Sequence, residues 1–223
     1  MGDWFSAEAI RHLILTFPVF LFSLVFHEYA HAWAALRRGD DLAKHMGRLT
    51  LNPLPHIDPI GTIALPVIMM LSGSGFMFGW AKPVPVNPKV SSKDLMITAA
   101  AGPAANLLLV PLFAAAAFGL RMTMGPDPNV SGVPFAIHEM MMAGVLWNLI
   151  LAFFNLIPIP PLDGSKILYY FLPYNWRERM QVLQRYSFII LIVLLVSGAL
   201  SIILLPAYII YIIVEMVAGY PML

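Results

Sequence analysis

The feature that most narrows the possible folds is an apolar run over residues 9–36, A-I-R-H-L-I-L-T-F-P-V-F-L-F-S-L-V-F-H-E-Y-A-H-A-W-A-A-L, closed by Arg37, Arg38, Gly39, Asp40 and Asp41. As a helix rising about 1.5 Å per residue it exceeds the roughly 30 Å hydrocarbon core of a bilayer. In lipid a lone segment satisfies its backbone polar groups only as a helix, so the run is read as a spanning helix, kinked at Pro18. It is too long for a signal peptide, has no A-x-A-type cleavage site and carries ionisable residues in its middle, so it is expected to be retained.

The rest of the chain continues in the same character. Hydrophobic residues make up 60% and charged residues 11%, against about 45–50% and about 25% in soluble domains. A mean hydropathy of +0.79 over the whole length leaves no stretch for a separate soluble domain. One membrane domain over residues 1–223 is expected, with a core at 9–172 and a C-terminal transmembrane segment at 186–218. The net charge of +1 supplies no clustered basic face, which excludes nucleic acid as a partner and leaves the lipid bilayer. Cysteine is absent, so disulfides and thiolate metal sites are excluded; any metal must be held by nitrogen and oxygen ligands.

Residues 47–58, G-R-L-T-L-N-P-L-P-H-I-D, combine breakers with a short alternating piece and read as an extended strand or hairpin. Residues 59–72 are apolar but short for a span, helices are expected at 94 to about 120 and at 137–156, and a short helix at 165–172 follows a break at I-P-I-P-P-L-D-G. The stretches at 73–88 and 125–134 are rich in Gly and Pro and read as loops able to gate access. The expected fold is an all-α membrane protein, a polytopic bundle of about five to six transmembrane helices with a short membrane-embedded β-hairpin or strand. Basic residues fall in three separate connections, at 37–44, 82–93 and 177–185, so orientation does not follow from the sequence.

The chemistry concentrates in H-E-Y-A-H, His27 to His31. Spacing of i,i+4 on a helix brings both imidazoles to one face, where they can share a metal ion, and Glu28 stands beside them as a general base for a water that the metal acidifies. Charged groups at the centre of a spanning helix cost about 2.5–3.5 kcal/mol each on insertion scales, so their presence calls for partners. The bland reading is a polar patch near the helix end that reaches interfacial water.

A catalytic zinc usually takes three protein ligands, and the third must come from elsewhere. The candidates are Asp163, His56, Asp58, His138 and Glu139. Asp163 stands where the chain breaks, before Gly164, yet an Asp ahead of S-K-I-L-Y-Y-F-L is also a good helix N-cap. Spacing alone leaves both readings open. Asn106 and Asn155 are amides in apolar helices that could face a substrate carbonyl or orient a ligand, or else bond between helices; Asn148 is read as the latter. His56 in P-H-I-D-P is read as structural, with an approach to the metal as the alternative. His12, His45 and His138 are placed at interfaces or loops.

H-E-Y-A-H-A-W together with F-N-L-I-P-I-P-P-L-D-G about 130 residues later resembles the site-2 protease family of intramembrane metalloproteases, particularly its compact bacterial members. G-R-L-T-L-N-P-L-P-H-I-D-P-I-G-T, G-W-A-K-P-V-P-V-N-P and A-G-P-A-A-N are similar to the same family. The resemblance covers residues 20–170 and implies one zinc per chain held by His27, His31 and Asp163, Glu28 as catalytic base, and a membrane protein or peptide as substrate. It implies an integral, multi-pass protein of a bacterial or archaeal membrane, without the PDZ or CBS-like regions of larger members. In this reading the 48–56 segment offers a sheet edge to an extended substrate. Three rivals are a membrane metal transporter, an idle module that holds helices without cutting them, and a different membrane zincin acting on lipid-modified peptides. A transporter needs no base, an idle module needs no zinc, and the last leaves P-P-L-D-G unexplained.

Overall fold

The computed structural model describes residues 6–71, 79–124 and 131–218. Along the chain run α1 (Ala7–Arg37), α2 (Leu42–His45), a 3-10 turn (Leu54–His56), a wide π-type turn (Pro59–Ala64), α3 (Leu65–Leu71), α4 (Ser92–Met124) and α5 (Val133–Asn155). They are followed by α6 (Asp163–Phe171), α7 (Tyr174–Arg185), α8 (Ser187–Val196), α9 (Ala199–Ile203) and α10 (Leu205–Ala218). The helix α1 begins where Ser6 accepts the Ala9 N–H at 3.1 Å. It ends at Arg38, after which Gly39 takes φ 87°, a conformation open to glycine without a Cβ penalty.

Among the described residues, three helices are long and apolar enough to cross a bilayer: α1 with 31 residues, α4 with 33 and α5 with 23. They form the centre of the molecule, α4 packing on α5 and α1 on both. Their directions follow from the ion pairs at their ends. Arg11 near the start of α1 pairs with Glu139 near the start of α5, so these two run parallel. Arg38 at the end of α1 meets Asp94 at the start of α4 at 2.5 Å, so α4 runs opposite. Between the ends, Phe20, Leu24 and Leu151 form one apolar cluster, and Val110, Val145, Leu149 and Ala207 another that brings α10 against α4 and α5. Large apolar side chains also point outward, among them Ile14, Leu108, Leu112 and Ile213. An apolar exterior on an apolar bundle fits lipid contact.

The expected β-hairpin is corrected. Among the described residues there is no strand, and residues 47–58 form a string of turns. The side chains of this stretch take the backbone groups that a ladder would need. Thr50 Oγ1 accepts from Asn52 N–H, Asn52 Oδ1 from Leu54 N–H, and Asp58 Oδ1 from the N–H groups of Ile60 and Gly61, at 2.7–3.1 Å. The Arg48 guanidinium donates to Pro55 O and His56 Nε2 to Thr50 O. Such local bonds compete with strand pairing, and Pro53 and Pro55 have no N–H to offer. The sheet edge expected at 48–56 for a substrate is therefore absent.

The count of five to six spans is not reached by helices of spanning length among the described residues. Pro59–Met69 and Leu205–Ala218 are apolar but shorter. The C-terminal stretch expected at 186–218 is divided into α8, α9 and α10, with Gly198 at φ 73° starting the second piece. Of the stretches expected as gates, residues 73–78 and 125–130 lie outside the described residues.

Candidate metal centre

The i,i+4 spacing in α1 sets His27 and His31 edge to face, with ring centroids 4.6 Å apart and their Nε2 atoms 3.0 Å apart. Asp163, the first residue of α6, brings its Oδ2 to 3.2 Å from His27 Nε2 and 3.0 Å from His31 Nε2. All three side chains are buried. They are the residues, among those described, whose donor atoms gather closely enough to hold a metal ion.

The protons in this cluster can be assigned. Thr98 O only accepts, and it stands 2.7 Å from His31 Nδ1, so that nitrogen carries the hydrogen. Asn106 Oδ1 lies 2.5 Å from His27 Nδ1 and fixes the other ring in the same way. When the rings are neutral, both Nε2 atoms present lone pairs to each other and to a carboxylate oxygen. Three lone-pair donors crowded to about 3 Å repel unless a cation lies among them. Two imidazoles and a carboxylate, with no thiolate, match a hydrolytic zinc centre that keeps one position open. Tetrahedral bonds of about 2.0–2.1 Å would set the donors roughly 3.3–3.4 Å apart, a few tenths of an ångström more than in this cluster. The residues fit the ion.

Neighbouring groups hold the donors in place. Lys166, one turn along α6, donates from Nζ to Asp163 Oδ1 at 3.0 Å and leaves Oδ2 for the cluster. The Glu28 carboxylate, half-buried, accepts the Val84 N–H at 3.1 Å. Val84 belongs to an extended segment laid across this end of the bundle, whose Trp80 and Lys82 N–H groups donate to Gly61 O and His56 O. On α4, Gly102 lies against both imidazoles, and a Cβ there would come within 2.6 Å of His27 Nε2.

Known proteins are similar to this chain over most of its length. The profile of Peptidase family M50 matches residues 131–198, which include Asp163. YwhC of Bacillus subtilis, which carries a provisional zinc metalloprotease name, is 35% identical over 211 residues, covering 91% of this chain and 88% of that protein. Rip2 of Mycolicibacterium smegmatis, similarly named, is 34% identical over 215 residues, covering 89% of this chain and 75% of its own. Rip2 of Mycobacterium tuberculosis is 27% identical over 208 residues. No solved structure gives a significant match. The chain belongs to peptidase family M50, the site-2 proteases. It is a zinc metallopeptidase by that membership, as the resemblance in its motifs implied.

Within this M50 peptidase the other candidate ligands lie elsewhere. His56 is fully buried but bonds Thr50 O, and Asp58 caps the π-type turn. His138 Nε2 donates to Ala218 O at 2.6 Å, and Glu139 pairs with Arg11 at the far end of α1. Asn155 turns its amide nitrogen back to Leu151 O, one turn earlier on its own helix. Asp163 makes no cap: the N-cap position is Leu162, and the carboxylate points to the histidines and Lys166. Lys166 and Thr98 escaped the sequence reading. The D-x-x-K spacing that puts Lys166 beside Asp163 is an i,i+3 helical signal, whereas Thr98 acts through its carbonyl, to which any residue type would serve.

Proposed function

We propose that this M50 metallopeptidase holds one zinc through His27, His31 and Asp163 and hydrolyses peptide bonds of membrane-spanning or membrane-associated proteins, with Glu28 as general base. The observation that carries the metal assignment is the convergence of three lone-pair donors whose outer protons are already committed to Asn106 and Thr98 O. Zinc, when bound, supplies a Lewis acid that polarises a carbonyl and lowers the pKa of a water toward neutrality.

The chain's own residues do the rest. Glu28 removes a proton from the attacking water, so that its oxygen bonds to the peptide carbon, and returns a proton to the amine nitrogen as the C–N bond breaks. The Val84 N–H holds one carboxylate oxygen of Glu28 and so limits the rotamers from which the proton moves. The Lys166 ammonium neutralises the outer oxygen of Asp163, which offsets the cost of burying that carboxylate. A helical substrate keeps its carbonyl groups within its own hydrogen bonds, so the peptide must locally unwind before the water can attack. Because His27 and His31 are buried within the apolar run of α1 and Asp163 is buried against them, substrates with apolar, membrane-held segments fit the site best.

The test pairs metal analysis of the purified chain with cleavage of a generic transmembrane peptide by wild type and Glu28→Gln. About one zinc in both forms, and cutting by wild type alone, is the expected result. Cutting by Glu28→Gln at the wild-type rate would remove Glu28 as the base. Absence of zinc from an active wild type would remove the metal centre.

A further inference from the structure

Behind His27, all three spanning helices contribute to one buried polar chain. Ser23 on α1, Asn106 on α4 and Asn148 on α5 are each fully buried. The Ser23 hydroxyl donates to Val19 O at 2.9 Å and therefore accepts, rather than donates, where Asn148 Nδ2 meets it at 2.8 Å. Asn148 Nδ2 gives its other hydrogen to Gly144 O at 2.8 Å, which turns Asn148 Oδ1 toward α4. That oxygen and Ser23 O accept both hydrogens of Asn106 Nδ2, at 2.8 and 3.1 Å. Asn106 Oδ1 is then the atom that faces His27 Nδ1. Each amide has two donor hydrogens, and all four are used on atoms that can only accept here. Flipping either amide would set oxygen against oxygen at two places.

We infer that Ser23, Asn106 and Asn148 form a one-way hydrogen-bond relay that fixes the His27 tautomer and orientation, so that Asn148 and Ser23 are positioning residues for the metal although neither touches it. The direction of the relay is set at its far end by the backbone carbonyls of Val19 and Gly144, which cannot reverse. At its near end it leaves the lone pair on Nε2, the atom facing His31 and Asp163. The inference rests on the proposed zinc ligation by His27. It adds that the affinity of the site is set partly from α5, which supplies no ligand among the three.

The test measures the zinc Kd by chelator competition, and the Tm of the metal-free protein, for wild type, Asn106→Leu, Asn106→Asp, Asn148→Leu and Ser23→Ala in detergent. Outer groups of this kind typically change metal affinity by about 10–100-fold. Asn106→Leu is expected to weaken zinc within that range and Asn148→Leu by roughly ten-fold, with a smaller loss for Ser23→Ala. Asn106→Asp separates positioning from packing. It keeps an acceptor for His27 Nδ1 but loses both donors, so it should lower the metal-free Tm at least as much as Asn106→Leu while binding zinc within a few-fold of wild type. Equal zinc affinity in Asn106→Leu and wild type would overturn the relay. So would zinc losses that simply track Tm across the set, or folding failure of Asn106→Leu together with wild-type affinity in Ser23→Ala and Asn148→Leu. If wild type itself bound no zinc, or bound it equally after His31→Ala, the metal centre would fall and the relay with it.

Discussion

Replacing Gly102 by alanine sets two effects of opposite sign against each other. Helix propensity favours alanine over glycine by about 0.8–1.0 kcal/mol in a helix interior. Packing opposes it, because a Cβ at position 102 would run into His31 Nε2 and approach His27 Nε2 and His31 Cε1 to 2.6 Å, where ordinary contact begins at 3.4 Å. The shortfall is about 0.8 Å at the latter two atoms and larger at His31 Nε2. A loose side chain would swing away, but here His27 is held by Asn106 and His31 by Thr98 O, so either ring moves only by giving up a buried hydrogen bond. Overpacking of this size costs roughly 1–3 kcal/mol, which outweighs the propensity gain or at best cancels it. The larger consequence is positional: displacing a catalytic group by about 1 Å can lower the rate about 100-fold. Gly102→Ala should therefore bind zinc more weakly and cut a transmembrane peptide about 100-fold more slowly, with metal content and initial rates as the assay. Gly119 lies on the same helix with nothing within 4 Å of its would-be Cβ and serves as the control, for which propensity alone predicts unchanged activity and a Tm no lower than wild type. Wild-type zinc content and rate in Gly102→Ala would refute the close approach of α4 to the imidazoles.

Asp163→Asn keeps the shape of the side chain but removes the charge that faces the two imidazoles and Lys166, so zinc content after dialysis against a mild chelator should fall well below that of wild type; full retention would exclude Asp163 as a ligand. Orientation becomes testable because the packing gathers connections that the sequence left separate. Arg37, Arg38, Lys44, Arg48, Lys82, Lys89 and Lys93 belong to segments joined at the C-terminal end of α1, whereas Arg11 and Arg121 lie toward the opposite end of the bundle. Among the basic residues that these contacts place, the excess predicts that the α1 C-terminal end is cytoplasmic. The chain has no cysteine, so single cysteines can be labelled without background. An impermeant maleimide should label Thr123→Cys in intact cells and Lys89→Cys only after permeabilisation, and the reverse pattern would overturn this orientation.

The sequence by itself determined what depends on local periodicity. The lengths of α1, α4 and α5 follow from apolar runs that lipid tolerates only as helices, and the shared face of His27 and His31 follows from helical spacing. The small residues around Gly102, A-A-A-G-P-A-A, permit a close helix approach but do not name what approaches. The strand expected at 47–58 failed because Arg48, Thr50, Asn52 and His56 claim backbone groups of that stretch, and alternation of apolar residues carries no record of that competition. Choosing among Asp163, His56, Asp58, His138 and Glu139 was equally beyond periodicity, because each is remote in sequence from α1 and only packing decides which one arrives. The tertiary structure brings Asp163 to 3.0 Å from His31 and sends the others to turns, a helix end and the far ion pair. It also decided the proton pattern, since a tautomer is fixed by acceptors contributed from other helices, Asn106 and Thr98 on α4, and by Asn148 behind them on α5. Spacing along one helix can be read from one segment, but the direction of a hydrogen bond between helices depends on how they are packed.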